Sequence, residues 1–149
     1  MRVASFVVLA LCCNALCAQE ARGSGGISWS GIARCLGASS VLLLGGDRLC
    51  AARQMYNGYE AMRRANCRNC DKYFHCQANY NAVSRCHRSN AAKAAAKRIS
   101  DCREKSQGGG ADSAADQAAN RYGRNLNNCG ARYLKRAKCA YNPRRKTCG

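Results

Sequence analysis

The cysteines set the terms on which this chain can fold. There are thirteen in 149 residues, against three Met and one Trp. Beyond residue 50 the large aliphatic side chains are Val83, Ile99, Leu126 and Leu134, joined by Phe74, Met55, Met62 and seven tyrosines. An interior built largely of alanine gains little from burial, because each buried methylene contributes only about 0.8 kcal/mol. Helices of ordinary length are marginal alone in water. A native disulfide contributes about 2–4 kcal/mol. The cysteines are therefore read as staples that replace missing hydrophobic burial.

The N-terminus supports that reading. Arg2 precedes an apolar run from Val3 to Leu16, followed by the small residue Ala18. This is the pattern of a secretory leader, 1–18, with cleavage expected after Ala18. It is too short to span a bilayer and hold. Cleavage removes Cys12, Cys13 and Cys17 and leaves ten: Cys35, Cys50, Cys67, Cys70, Cys76, Cys86, Cys102, Cys129, Cys139 and Cys148. An even number in an oxidising compartment predicts five disulfides, and the sequence does not choose among the pairings. The competing chemistry is zinc: Cys67 and Cys70 form a C-x-x-C pair, and His75 and Cys76 follow closely. The extracellular context favours disulfides, so no metal and no cofactor are expected.

The formal net charge is +17, and loss of the leader takes only Arg2 from it. A charge of this size attracts polyanions. The cations concentrate at the C-terminus. Between residues 124 and 149 there is no Asp or Glu, while Tyr133 and Tyr141 interleave with Arg132, Lys135, Arg136, Lys138, Arg144, Arg145 and Lys146. Guanidinium and ammonium groups beside aromatic faces suit phosphate or sulfate polymers. Arg63 and Arg64 form a second candidate patch.

Four segments carry helical spacing. In 48–65, Leu49, Ala52, Tyr56 and Tyr59 recur on one face, widened by Met55 and Met62. In 70–86 the stripe is Tyr73, Cys76, Tyr80 and Val83. A third helix starts at a cap from Ser89 or Asn90, runs through the alanines of 91–96 and stops at Gly108. Its inner face is Ala92, Ala95, Ile99 and Cys102, with Lys93, Lys97 and Arg98 elsewhere. The fourth covers about 112–122, with Ser113 and Asp116 at capping-box spacing and Gly123 as its stop. Asp112 and Asp116 near its start and Arg121 near its end suit the helix dipole. Residues 19–47, Gly- and Ser-rich with Trp29 and the run VLLLGG, are expected to form an irregular arm with one short helix, held by Cys35. Residues 125–149 are a basic, Cys-containing tail. The expectation is an all-α protein, a small disulfide-stapled four-helix bundle over 48–124 between arm and tail.

Within this frame stand DKYFHCQANYNA (71–82), ISDCRE (99–104) and GADSAADQAANRYGR (110–124), preceded by MYNGYEAMRRAN (55–66) in register. Together these strings resemble the serum amyloid A family of secreted helical acute-phase proteins, over roughly 55–124. The resemblance implies a helical bundle and no enzymatic activity. It implies a role in innate defence or the acute-phase response, with binding to lipid or lipoprotein. Unlike that family's usual members, this chain is rich in cysteine, and residues 19–47 lack the aromatic amphipathic pattern of a lipid-binding segment. Charge and resemblance together point to a secreted protein that binds sulfated glycans, anionic lipid or microbial surfaces. Nucleic acid is not expected as a physiological partner, and an oligomer is left open.

Two rivals remain. One is an extracellular-matrix or mineral-associated protein holding acidic polymers. The other is a small basic secreted enzyme using His75 and His87 as an acid–base pair. No Walker loop, Rossmann glycine motif, nucleophile elbow or H-E-x-x-H motif is present.

Overall fold

The computed structural model describes residues 27–149. The expected leader, its cleavage site and the first residues of the arm lie outside the described residues. Among the described residues there are five α-helices in chain order: α1 (Trp29–Leu36), α2 (Gly46–Ala65), α3 (Asp71–Ser84), α4 (Asn90–Ser106) and α5 (Ala111–Arg124). A 3-10 segment, Gly37–Leu43, links α1 to α2. After α5 come a π-helical turn, Gly130–Lys135, and a minimal hairpin of β1 (Tyr141–Asn142) and β2 (Thr147–Cys148). The hairpin is antiparallel, pairing Tyr141 with Cys148 and Asn142 with Thr147. The all-α expectation holds, and the short helix foreseen in the arm is α1. The hairpin was not foreseen.

Local chemistry explains the boundaries. Ser28 caps α1, its Oγ accepting from the Gly31 N–H at 3.1 Å. Ser89 caps α4 in the same way, accepting from the Ala92 N–H at 3.1 Å. Asn66 ends α2 in the left-handed region at φ 46°, its N–H bonded to the Met62 carbonyl. Past α4, Gly108 takes φ 90°, where a β-carbon would be strained.

Helix α3 lies at the centre, packed between α2 and α5, with α4 also against it. It is consequently buried on nearly every side: Tyr73, Phe74, His75, Cys76, Ala78, Asn79, Ala82 and Val83 are all inside. The single stripe expected from spacing was too narrow, because a helix covered by several neighbours needs more than one inward face. In α2 the buried line is Ala51, Met55 and Tyr59, joined by Glu60. Tyr56 is partly exposed instead, its ring 4.9 Å from that of Trp29. Trp29 is itself packed, and its Nε1–H donates to Glu60 Oε1 at 3.2 Å. The α4 face was read correctly: Ala92, Ala95, Ile99 and Cys102 are all buried.

Two apolar clusters result. One gathers Ile32, Leu36, Met55, Tyr59, Ala82, Ala95 and Ile99 between α1, α2, α3 and α4. The other gathers Tyr73, Phe74 and Ala119 with Tyr133, Leu134 and Tyr141 of the tail. Small residues let the backbones meet. A β-carbon on Gly58 of α2 would stand 2.5 Å from Ala78 Cβ. One on Gly123 would collide with the Cys76 carbonyl oxygen of α3. Gly123 therefore does not stop the fourth helix, which continues through Arg124; its missing side chain is what lets α5 lie on α3.

All ten expected cysteines pair: Cys35–Cys102, Cys50–Cys86, Cys67–Cys148, Cys70–Cys139 and Cys76–Cys129. The first ties α1 to α4, and the second ties α2 to the turn after α3. The other three sew the tail onto α3 and the corner before it. They close loops of 36 to 81 residues. Loops of that size correspond to roughly 4 kcal/mol each in the chain-entropy model.

Candidate functional site: a buried polar layer and a basic exterior

The cations of the tail are held in place rather than trailing. Asn142 Oδ1 accepts from the N–H groups of Arg144 and Arg145 at 3.0 and 3.2 Å, closing a tight turn between the two short strands. The Lys146 N–H returns to the Asn142 carbonyl at 2.8 Å. The turn thus carries Arg144, Arg145 and Lys146 at its exposed tip. Cys67–Cys148 fastens this hairpin near the end of α2, where Arg63 and Arg64 are also exposed. The crosslink therefore brings the hairpin and the end of α2 together. Arg63 is partly committed, since its Nη2 donates to Glu60 Oε2 at 2.8 Å.

In the π-helical turn, Arg132 lies over the rings of Tyr122 and Tyr133, at 4.6 and 5.6 Å from their centroids. Such contacts orient a guanidinium without neutralising it. Lys135, Arg136 and Lys138 are exposed along the same tail.

Sequence reasoning missed one basic feature. A groove of about 340 Å³ between α4 and α5 is lined by Lys93, Lys97, Arg121 and Arg124, with Ala94 and Asn125. Lys97 is engaged by Asp101 at 2.7 Å. The cations come from two helices far apart in sequence, so no local pattern signals the groove.

Beneath the surface, α3, α4 and α5 share a polar layer. Asn79 Nδ2 donates to the Asn120 Oδ1 at 2.8 Å, and Arg124 Nη1 donates to Asn79 Oδ1 at 2.7 Å. Ser100 Oγ is 3.2 Å from Asn79 Oδ1. Asn120 Nδ2 donates to Gln117 Oε1 at 3.3 Å, and Gln117 donates to Asp101 at 3.0 Å. These bonds fix Asn120 Oδ1 as an acceptor facing inward. His75 Nδ1, 3.1 Å from that oxygen, must then be the N–H donor.

The other nitrogen, His75 Nε2, is fully buried and has no hydrogen-bond partner. It faces Asp116 Oδ2 at 3.5 Å. Glu104 Oε1 lies 3.6 Å from His75 Nδ1 and is likewise without a hydrogen bond. Its other oxygen accepts from Ser113 Oγ at 2.8 Å. Lys72 Nζ approaches Asp116 Oδ1 at 3.4 Å and Asp71 Oδ2 at 2.6 Å. Arg103 is buried above the Tyr59 ring, 5.1 Å from its centroid.

Burial, with Arg103 adding to it, pulls the His75 imidazole down to about 3, so the ring is neutral. Burial pushes Glu104 and Asp116 above the usual carboxylate range. It pushes the Tyr59 phenol up as well.

This corrects one expectation for α5. Ser113 and Asp116 do not form a capping box. Ser113 reaches across to Glu104 of α4, and Asp116 turns inward to His75. The helix starts at Gly110 without a side-chain cap. The zinc set imagined for Cys67, Cys70, His75 and Cys76 does not assemble, since each of those cysteines is bonded to a different tail cysteine. The two histidines do not meet in one site either. His87 is exposed and pairs with Asp47 at 2.7 Å, whereas His75 is sealed inside.

The model of the family described as serum amyloid A protein matches residues 44–139, which runs from the start of α2 into the tail. The chain belongs to the serum amyloid A family. Serum amyloid A-2 protein of Neovison vison is 44% identical over 91 residues, covering 53% of this chain and 68% of that protein. Serum amyloid A protein of Notamacropus eugenii is 46% identical over 78 residues, covering 49% and 59%. Serum amyloid A-3 protein of Mus musculus is 48% identical over 77 residues, covering 49% and 61%. The chain thus spans 59–68% of the length of these relatives, less than two thirds for two of the three. The serum amyloid A match contains the whole polar layer, while α1 and the β1–β2 hairpin fall outside it.

Proposed function

We propose that this chain is a secreted serum amyloid A-like protein of innate defence or the acute-phase response. It acts without catalysis, by binding anionic lipid, microbial or glycan surfaces through its basic end. One observation carries this reading: the tip residues Arg144, Arg145 and Lys146 are presented on a stapled turn, beside Arg63 and Arg64, with no Asp or Glu in the tail to neutralise them. Ordering the cations in advance lowers the entropic cost of binding a polymer. The relatives' names place them in serum, which supports secretion together with the leader-like N-terminus.

Retention on immobilised heparin and on anionic vesicles tests the proposal. Contacts of this kind weaken as salt screens them, over a Debye length of about 10 Å at 0.1 M. Replacing Arg144, Arg145 and Lys146 by Ser should lower the eluting salt while helix content stays constant. Unchanged elution would remove the hairpin tip from the interface.

A further inference from the structure

We propose that His75, Glu104 and Asp116 form a binding site for one first-row divalent cation, of the zinc type, buried between α3, α4 and α5. Each of the three offers one ligand atom, and these atoms lie within 4.8 Å of one another. A closed cluster of carboxylates would not be enough by itself. The second observation is His75. Its Nδ1–H is committed to Asn120 Oδ1, so Nε2 carries a lone pair that points, wholly buried and unpartnered, at a carboxylate oxygen. Two lone pairs facing each other at 3.5 Å are repulsive unless something positive stands between them. Glu104 Oε1, 3.6 Å from His75 Nδ1, is a further buried acceptor without a hydrogen bond at the same ring.

The surroundings resemble those a metal ligand set requires. A ligating histidine holds its orientation by donating its other ring N–H to a fixed acceptor, and Asn120 does this here. Glu104 is steadied through its second oxygen by Ser113. One imidazole and two carboxylates are a donor set of the kind zinc takes, with a fourth position open to water. The cysteines cannot compete for the ion, because all ten are in disulfides.

Two cations face the cluster and must be accounted for. Arg103 rests on the Tyr59 ring and stays. Lys72 is the movable one: it is partly exposed, touches Asp116, and has Asp71 as an alternative partner at 2.6 Å. An arriving ion takes the place of the Lys72 ammonium at Asp116, and Lys72 retires to Asp71. Lys72 thereby guards the entrance and competes with the metal.

The test uses the full mature chain with its disulfides intact, stripped with chelator and titrated with Zn²⁺ by calorimetry and with Co²⁺ by visible absorption. The expected result is one equivalent of ion, with Co²⁺ bands of a low-coordinate site and a raised thermal midpoint in Zn²⁺. Asp116→Asn should abolish binding. Asn120→Ala should weaken it by about 10–100-fold, as loss of an outer partner does. Lys72→Met, which removes the ammonium from Asp116 without altering a ligand, should tighten it, which no purely structural role for Lys72 would produce. His87→Gln should change nothing. The proposal is overturned if wild-type protein binds less than one equivalent, if loss follows His87→Gln instead, or if Lys72→Met leaves the affinity unchanged.

Discussion

Replacing Gly123 with alanine tests the packing of α3 on α5 directly. Two effects oppose each other. Inside a helix, alanine is favoured over glycine by about 1 kcal/mol. Against that, the new β-carbon would collide with the Cys76 carbonyl oxygen and stand 2.9 Å from its carbonyl carbon and 3.0 Å from the Tyr80 nitrogen. All three are main-chain atoms of α3, so no side-chain rotation relieves the contact. The helices would have to separate, and the Cys76–Cys129 bridge, which ties α3 to the segment just after α5, resists this. Overpacking costs about 1–3 kcal/mol and occasionally more. A main-chain collision belongs at the upper end, leaving a net loss of about 2 kcal/mol after the propensity gain. Urea unfolding of the oxidised protein, followed by far-ultraviolet circular dichroism, measures it. Gly130→Ala is the control, since its nearest neighbours would be at 3.5 and 3.7 Å. A Gly123→Ala variant as stable as the parent, or more so, would refute the close approach of α5 to α3.

Further expectations concern other parts of the molecule. Peptide mapping without reduction should recover Cys67–Cys148, Cys70–Cys139 and Cys76–Cys129 as linked fragments, and a free thiol at any of them would contradict the stapled tail. Asn79→Ala should cost about 2–3 kcal/mol, because Arg124 is left buried beside a lost acceptor; a change within measurement error would mean the polar layer is not coupled. His87 should titrate above its ordinary value, held up by its hydrogen bond to Asp47. The pair therefore favours the folded chain below the usual histidine range, and its contribution fades as pH rises through the raised value. Proton NMR of the His87 ring should show this shift, and Asp47→Asn should abolish it. Uptake onto neutral vesicles should be weak, because Ile32 and Leu36, the apolar face of α1, are already packed inside. Tight, salt-insensitive uptake would transfer the binding role to the exposed Val41 and Leu42.

What was legible in the sequence was whatever depends on near neighbours. Ser89 caps α4 because the donor it satisfies is three residues away, and the alanine face of α4 follows from spacing alone. Gly123 misled for the same reason. A glycine after a helical run has one local meaning, a stop, and its actual meaning is set by Cys76 on another helix. Ser113 and Asp116 stand at capping spacing, yet their side chains turn to Glu104 and His75 on other helices. The disulfide pairs, the α4–α5 groove and the His75 cluster all join residues from separate elements, and spacing along the chain carries no record of such meetings.

The order of the last three crosslinks bears on how the chain is made. Cys67, Cys70 and Cys76 meet Cys148, Cys139 and Cys129, so the bridges are nested one inside another. Synthesis delivers the inner partner first. Cys76 waits 53 residues for Cys129, Cys70 waits 69 for Cys139, and Cys67 waits 81 for Cys148. Cys50 waits only 36 for Cys86. A chain entering an oxidising compartment N-terminus first can therefore close α2 onto the end of α3 early and then fasten its tail from the inside outwards. Three thiols lie waiting within ten residues of sequence, from 67 to 76, until that happens. Three thiols so close in sequence can exchange partners before the tail arrives, so mispairing among them is the hazard to look for on oxidative refolding.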